Sequence, residues 1–273
     1  MKDVTLTPWY PLKVFLGIIG YLGFIATASV FFCVGLPLFL LLTPWPALMR
    51  RLMYSVLKGY AFALTRLWLP GLGVYRFLGP ALLRAEEMRG CVVVANHRSR
   101  LDALLLLAML PRTGVVIKSK YAGTPPFSAF VKYLDFVSID PDSLSSIGEA
   151  VKRCGAVLAS GKNLLVFPEG TRAKTGRLLA FGPFAFKIAA ESGAAVLPAV
   201  LHSDLPLMAR RSGSIFPVRK FAFTVRFLAP CRREPHENTA DFAARVRGLM
   251  AEELAQLDTG TCWDPGRKDG ERQ

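Results

Sequence analysis

The chain is poor in the residues from which several kinds of active site are built. Histidine occurs only three times, at His97, His202 and His236, and the five cysteines, Cys33, Cys91, Cys154, Cys231 and Cys262, are scattered with no C-x-x-C pair. Neither a zinc site nor a disulfide framework is indicated, and reduced, mostly buried thiols are expected. No G-x-S-x-G is present, so the strained turn that exposes a serine nucleophile in many hydrolases is missing. Acidic residues are few: 20 Asp and Glu face 34 Lys and Arg, a formal net charge of +14 with a pI near 9.9. That excess implies an anionic partner, which charge alone leaves open among a membrane surface, a phosphorylated substrate, an acidic carrier protein and nucleic acid.

Charge is absent altogether from residues 14 to 49. An apolar stretch of this length exceeds the roughly 20 residues that cross a bilayer core, yet falls short of two full spans and a turn. A cleaved signal peptide fits poorly, because the apolar region is too long and Lys2 with Asp3 gives no net positive start. Two readings remain: one tilted span ending near Pro44, or a helical hairpin entering one leaflet with a break around Gly35 to Pro37. Arg50, Arg51, Lys58 and Arg66 come directly after it, interleaved with Tyr54, Tyr60, Phe62 and Trp68. A basic helix with aromatic flanks suits the headgroup layer and anionic lipids, although a helix face packed on a globular domain would read similarly. The cations also place the rest of the chain, beyond residue 50, on the cytoplasmic side of a membrane. Nucleic-acid binding would explain the charge but not the uncharged stretch.

Pro70, Gly71 and Gly73 suggest a linker, after which short apolar runs and helical patterns alternate. Strands are expected at Val92 to Val94, Val115 to Ile117, Phe136 to Ile139, Asn163 to Phe167, Ala195 to Leu201 and Phe221 to Phe227. Helices are expected at Leu101 to Leu110, Phe127 to Leu134, from a cap at Ser143 or Ser145 to Ser160, at Phe181 to Ser192, and at Ala240 to Leu257. This pattern predicts an α/β fold with a largely parallel central sheet flanked by helices, joined to an N-terminal membrane-embedded helical segment. The expected division is 1–70 for membrane-anchoring and interfacial helices, 71–258 for the α/β domain, and 259–273 for a polar, disordered tail.

Two strand ends carry candidate chemistry. His97 leaves the carboxyl end of the Val92 strand, and Asp102 opens the next helix. On one continuous helix, residues five apart point about 140° from each other, but a strand-to-helix turn can fold the carboxylate back onto the imidazole. There Asp102 would fix the tautomer and stabilise the imidazolium after His97 takes a proton, with Asn96 holding the turn. Such a pair has no nucleophile of its own and suits activation of a hydroxyl on a bound acceptor. Spacing alone is weak evidence, since His236 and Asp241 repeat it without a preceding apolar run; Asn238 or Thr239 there reads as a helix cap. The second strand runs into Pro168, Glu169, Gly170, Thr171 and Arg172. Ligands of open α/β sheets bind outside the carboxyl ends of strands, so both turns could face one cleft. Gly170 would allow close backbone approach, Arg172 could grip a phosphate and Glu169 could accept from a substrate hydroxyl, with Lys174 and Arg177 at the rim. Taken alone, the turn could equally hold an internal Glu–Arg ion pair. His202-Ser203-Asp204 is contiguous and reads as a loop after a strand, and a metal at His97 and Asp102 would lack further histidine ligands.

The motifs N-H-R-S-R-L-D at 96–102, F-V-S-I-D at 136–140, F-P-E-G-T-R at 167–172 and V-L-P-A-V at 196–200 stand in the order and rough spacing of the four blocks of the glycerolipid acyltransferases. Over residues 80 to 230 the chain resembles the 1-acyl-sn-glycerol-3-phosphate acyltransferases, and its apolar N-terminal segment is similar to theirs. The resemblance implies transfer of a fatty acyl group from an acyl-CoA or acyl carrier protein thioester to a hydroxyl of a lysophospholipid-type acceptor, with no bound cofactor, no metal and no covalent enzyme intermediate. It implies His97 as base, Asp102 as its orienter, Lys118 (or Lys120) near the oxyanion, Glu169, Gly170, Thr171 and Arg172 at the acceptor phosphate, and Asn96 and Asp140 in support. Anionic lipids, the lipid acceptor and acyl carrier protein are the implied partners. Two departures stand out: Asp140 is followed by Pro141 where the family usually has Arg, and Ser128 stands where Gly is common. They leave open the same chemistry on another amphiphile, such as an aminoacyl lipid or a polyene lipid headgroup, or a non-catalytic basic membrane-binding protein.

Overall fold

The computed structural model of the chain describes residues 44–71, 76–78, 89–124, 127–173, 177–203 and 222–260, together with isolated positions between 11 and 41. Helix α1 spans Pro46–Phe62 and continues through a π-helical turn, Ala63–Trp68, into Leu69–Gly71. Next come β1 (Arg76–Leu78), β2 (Val92–Ala95), α2 (Asp102–Met109), β3 (Thr113–Lys118), α3 (Ser119–Ala122), α4 (Phe127–Tyr133), β4 (Val137–Ile139) and α5 (Leu144–Ala159). The chain goes on through β5 (Asn163–Val166), α6 (Phe184–Ser192), β6 (Val196–Ser203), β7 (Ala222–Phe227) and α7 (Thr239–Gly260).

Among the described residues the strands form one seven-stranded sheet in the order β1-β7-β6-β2-β5-β3-β4, parallel throughout except for β6 against β7. β2 is central and buried at every position, as an uninterrupted β-branched run requires. Its side chains alternate between two cores. Val93 and Ala95 face a cluster with Met49, Met53 and Leu57 of α1, Leu105 and Leu106 of α2, and Phe130 of α4. Val92 and Val94 face the other side, with Cys154 of α5, Phe186 and Ile188 of α6, and Phe242, Val246 and Met250 of α7. The expected α/β architecture is therefore present, with the sheet largely parallel and helices on both faces.

α1 is part of this core. Met49, Met53, Leu57 and Ala61, spaced by four, bury one face. The Tyr54 hydroxyl lies 2.8 Å from both Leu134 O and Asp135 Oδ2, and Lys162 Nζ reaches the same carboxylate oxygen at 2.6 Å. An adjoining face carries Trp45, Leu48, Leu52 and Val56, all exposed, with Leu67 and Trp68 exposed beyond it. Among the described residues no helix is long and apolar enough to cross a membrane. Most of the uncharged stretch, including Gly35 of the expected break, lies outside the described residues, as do Lys174 and the tail after Gly260.

Differences from expectation are local. Pro70 and Gly71 end a helix instead of opening a linker, and β1, three residues long, has no counterpart among the expected strands; Arg66 stacks its guanidinium 3.8 Å from the centroid of Phe77 in that strand. A three-residue edge strand is too short for its alternation to stand out from a loop. His202 and Ser203 belong to β6, because β7 pairs with them through Thr224 and Phe223. α6 starts at Phe184 rather than Phe181. Ser143 is the cap of α5, accepting from Ser146 N at 3.3 Å, and Asn238 Oδ1 accepts from Ala240 N and Asp241 N at the start of α7.

Candidate active site

The carboxyl ends of β2, β5 and β3 lie side by side, since all three run parallel. β2 stops because Asn96 replaces the backbone ladder with its side chain: Nδ2 donates to Leu201 O at 2.9 Å and Oδ1 accepts from Leu201 N at 2.7 Å. The main chain is thereby released to turn while the buried amide stays paired. His97 is next in the chain, and Asp102 is the first residue of α2.

Asp102 is fully buried, and its Oδ2 accepts from Arg98 N at 2.6 Å, Ser99 N at 2.7 Å and His97 Nδ1 at 2.8 Å. An oxygen already accepting two backbone N–H groups is an acceptor, so Nδ1 carries the ring proton and the Nε2 lone pair remains free. Ser99 Oγ closes the turn by accepting from Leu101 N at 3.1 Å. The imidazole, about a quarter exposed, stacks on Phe167 with centroids 4.3 Å apart. The result is an oriented base with its free nitrogen toward the accessible side.

The Phe167–Arg172 turn is hydrogen-bonded directly to the His97 turn. Glu169 Oε1 accepts from His97 N at 2.9 Å, and Ala173 N donates to His97 O at 2.8 Å. Gly170, at φ +60°, has the left-handed backbone that makes glycine the favoured residue there, and its N–H closes the turn on Phe167 O at 3.0 Å. The two sequence-separated loops thus form one site. Glu169 is tied to main chain through both carboxylate oxygens, the second accepting from Leu179 N at 3.1 Å. Burial is the largest influence on this carboxyl and pushes it above the usual carboxylate range, while the two N–H donors and the nearby imidazole pull it back.

Thr171 and Arg172 are half-buried in the same turn. Lys118 is the exposed last residue of β3, at the same edge of the sheet, where it pairs with Ile139 of β4, and Lys120 lies just beyond it in α3. Asp140 lies past the end of β4, where its Oδ1 accepts from Asp142 N at 3.1 Å and its own N–H donates to Ser146 Oγ at 2.9 Å. It organises the entry to α5, two strands away from β5. Among the described residues no three metal-ligating side chains cluster. Phe167, Ser99 and Leu179 join the site without having been singled out by sequence reasoning; the first two lie within the motifs, while the Leu179 contact is made by a backbone group that carries no sequence signal. His236 is exposed, and the Asp241 carboxylate of that second spacing accepts from Asn238 Nδ2 at 2.6 Å in a helix cap.

Residues 81–202 match the family model described as acyltransferase. A 1-acyl-sn-glycerol-3-phosphate acyltransferase of Cocos nucifera is 27% identical over 223 residues, covering 80% of this chain and 68% of its own length. A chloroplastic 1-acyl-sn-glycerol-3-phosphate acyltransferase of Brassica napus is 30% identical over 156 residues, covering 56% of this chain and 45% of its own. The chain thus spans about two thirds of the first and less than half of the second. The crystal structure of the 1-acyl-sn-glycerophosphate acyltransferase PlsC from Thermotoga maritima shares the fold, with a TM-score of 0.69 at 21% identity, covering 90% of this chain and 96% of that one. Residues 81–202 thus carry an acyltransferase family domain, and the chain around it is similar to the 1-acyl-sn-glycerol-3-phosphate acyltransferases.

Proposed function

We propose that the protein transfers a fatty acyl group from an acyl thioester, on coenzyme A or acyl carrier protein, to the free hydroxyl of 1-acyl-glycerol-3-phosphate or a related lysophospholipid. The observation that carries this reading is the His97–Asp102 pair: a buried carboxylate holds Nδ1, and Nε2 is left free on the accessible side. His97 takes the proton of the acceptor hydroxyl as its oxygen attacks the thioester carbonyl. Asp102 stabilises the imidazolium, and the imidazolium then returns the proton to the departing thiolate. The acyl group passes directly from sulfur to oxygen. Lys118, in this reading, offers positive charge to the tetrahedral oxyanion, and Arg172 with Gly170 and Thr171 receives the acceptor's phosphate.

Membrane attachment belongs to the same reading. Trp45, Leu48, Leu52 and Val56 form an apolar outer face on α1, and Arg50, Arg51 and Lys58 lie on the same helix. This face docks into the headgroup region of a bilayer rich in anionic lipid, with the catalytic domain on the cytoplasmic side. Both substrates are amphiphiles and reach the site from that surface. A second reading is favoured by Pro141 standing after Asp140: the same transfer to an amphiphile without phosphate, such as an aminoacyl lipid or polyene headgroup.

The test is incubation of purified protein, in vesicles, with isotopically labelled acyl-CoA or acyl carrier protein and a panel of lyso-acceptors, and then mass spectrometry of the lipids. Labelled phosphatidate formed from lysophosphatidate is the expected product. Label confined to a phosphate-free lipid would select the second reading, and no labelled lipid at all would end both.

A further inference from the structure

Arg247 lies on α7, far from the site in sequence, and its guanidinium is turned toward main chain. Nε donates to Leu179 O at 2.9 Å and Nη2 to Leu178 O at 3.1 Å. The fork that usually grips a carboxylate here grips two successive carbonyls, and among the described residues it forms no ion pair. The segment it holds lies directly behind the base. Leu179 N–H donates to Glu169 Oε2, whose other oxygen accepts from His97 N. Gly182 N donates to Pro168 O at 2.8 Å, so the strap from 177 to 183 is fastened to the Phe167–Arg172 turn at two places. Leu178 and Phe181 are half-buried against the cluster of α5, α6 and α7, which seats the strap on the helix that carries Arg247.

We infer that Arg247 is a positioning residue for His97: it clamps the 177–183 strap so that Leu179 and Glu169 fix the backbone of the base. This rests on the proposed role of His97 only for its catalytic consequence; the clamp itself is a statement about backbone. Losing it lets the strap shift, Glu169 loses one of its two donors, and the His97 turn gains freedom that a proton-transfer geometry does not tolerate.

Two measurements on the full-length protein in vesicles test this. In Arg247→Ala, amide exchange at Leu179 and His97 should accelerate at least about tenfold while Val93 and Leu165 in the sheet keep their protection. In the same variant kcat should fall roughly tenfold, with KM for acyl-CoA and for lysophosphatidate within about twofold of wild type. Added guanidinium at millimolar concentration should restore part of kcat where urea does not, and Arg247→Ala should add no further loss in a Glu169→Gln background. If the alanine variant does not fold, Arg247→Lys, which retains the charge but not the fork, should show the same pattern to a lesser degree. Unchanged exchange at both amides, or a kcat loss that tracks the unfolded fraction and adds to that of Glu169→Gln, overturns the inference. Should wild-type protein transfer no acyl group, the functional reading falls by itself, and exchange at the two amides alone decides the clamp.

Discussion

Two histidines of this molecule sit within hydrogen-bond distance of an aspartate, and their burial is inverted. His97 Nδ1 lies 2.8 Å from Asp102, with the imidazole 23% exposed and the carboxylate 0% exposed. His202 Nε2 lies 2.9 Å from Asp258, but there the imidazole is 3% exposed and the carboxylate 61%. In the first pair the group able to exchange protons faces outward and its orienter is sealed beneath it. In the second the ring is sealed between β6 and the last turn of α7, and solvent reaches the carboxylate. Distance alone would rank the two as equals. The order of burial separates an imidazole that solvent reaches, the one proposed as base, from a strand-to-helix tie.

The largest expected effect comes from breaking the two pairs one at a time. His97→Gln should lower kcat for acyl transfer by about 10² to 10⁴-fold, the usual worth of a general base, whereas His202→Gln should leave kcat within a fewfold and lower the melting temperature instead. Steady-state kinetics beside thermal melts of both variants check this, and the reverse assignment would show that the sealed pair carries the chemistry.

How much of this is legible in the sequence divides in the same way between local and distant. His97, Asp102 and the 167–172 turn are legible because each follows a short apolar run that must be buried, and strand ends in parallel sheets gather at one edge. Glu169 is legible as a polar group in the turn, but its two backbone N–H partners are not, because one comes from His97 and the other from Leu179. Arg247 and the His202–Asp258 tie are invisible, since their partners are 68 and 56 residues away and contribute carbonyls or an exposed acid. α1 reads equally as an interfacial helix or as one packed on a globular domain; its inner face does share a core with α2 and β2, partners that spacing alone does not name.

Next in size is a test of the headgroup reading. Arg172→Ala should raise KM for lysophosphatidate about tenfold while KM for acyl-CoA changes little, the loss expected when a charge-assisted contact to an anion is removed. An equal rise in both would place Arg172 outside acceptor recognition. On α1, Leu52→Gln with Val56→Gln should weaken binding to anionic vesicles roughly tenfold by removing apolar burial, as sedimentation would measure, and leave folding intact because both side chains are exposed. Retained binding would shift the attachment to other residues.

The smallest effect concerns pH. Burial raises Glu169 above the ordinary carboxylate range, so between the unfolded and folded values the folded chain holds the extra proton. Stability from this group is therefore present below that interval and declines as pH rises through it. The melting temperature of wild type relative to Glu169→Gln should fall over the same interval, and a rise would contradict the assignment.

The central claim is that the acyl group goes straight from thioester to hydroxyl at His97, with no protein-bound stage. Intact-mass measurement of the protein after incubation with acyl-CoA, first without and then with lysophosphatidate, addresses it directly. The protein mass should stay unmodified throughout, with thiol released only once the acceptor is added; an acylated protein that forms without acceptor and then passes its acyl group on would contradict direct transfer.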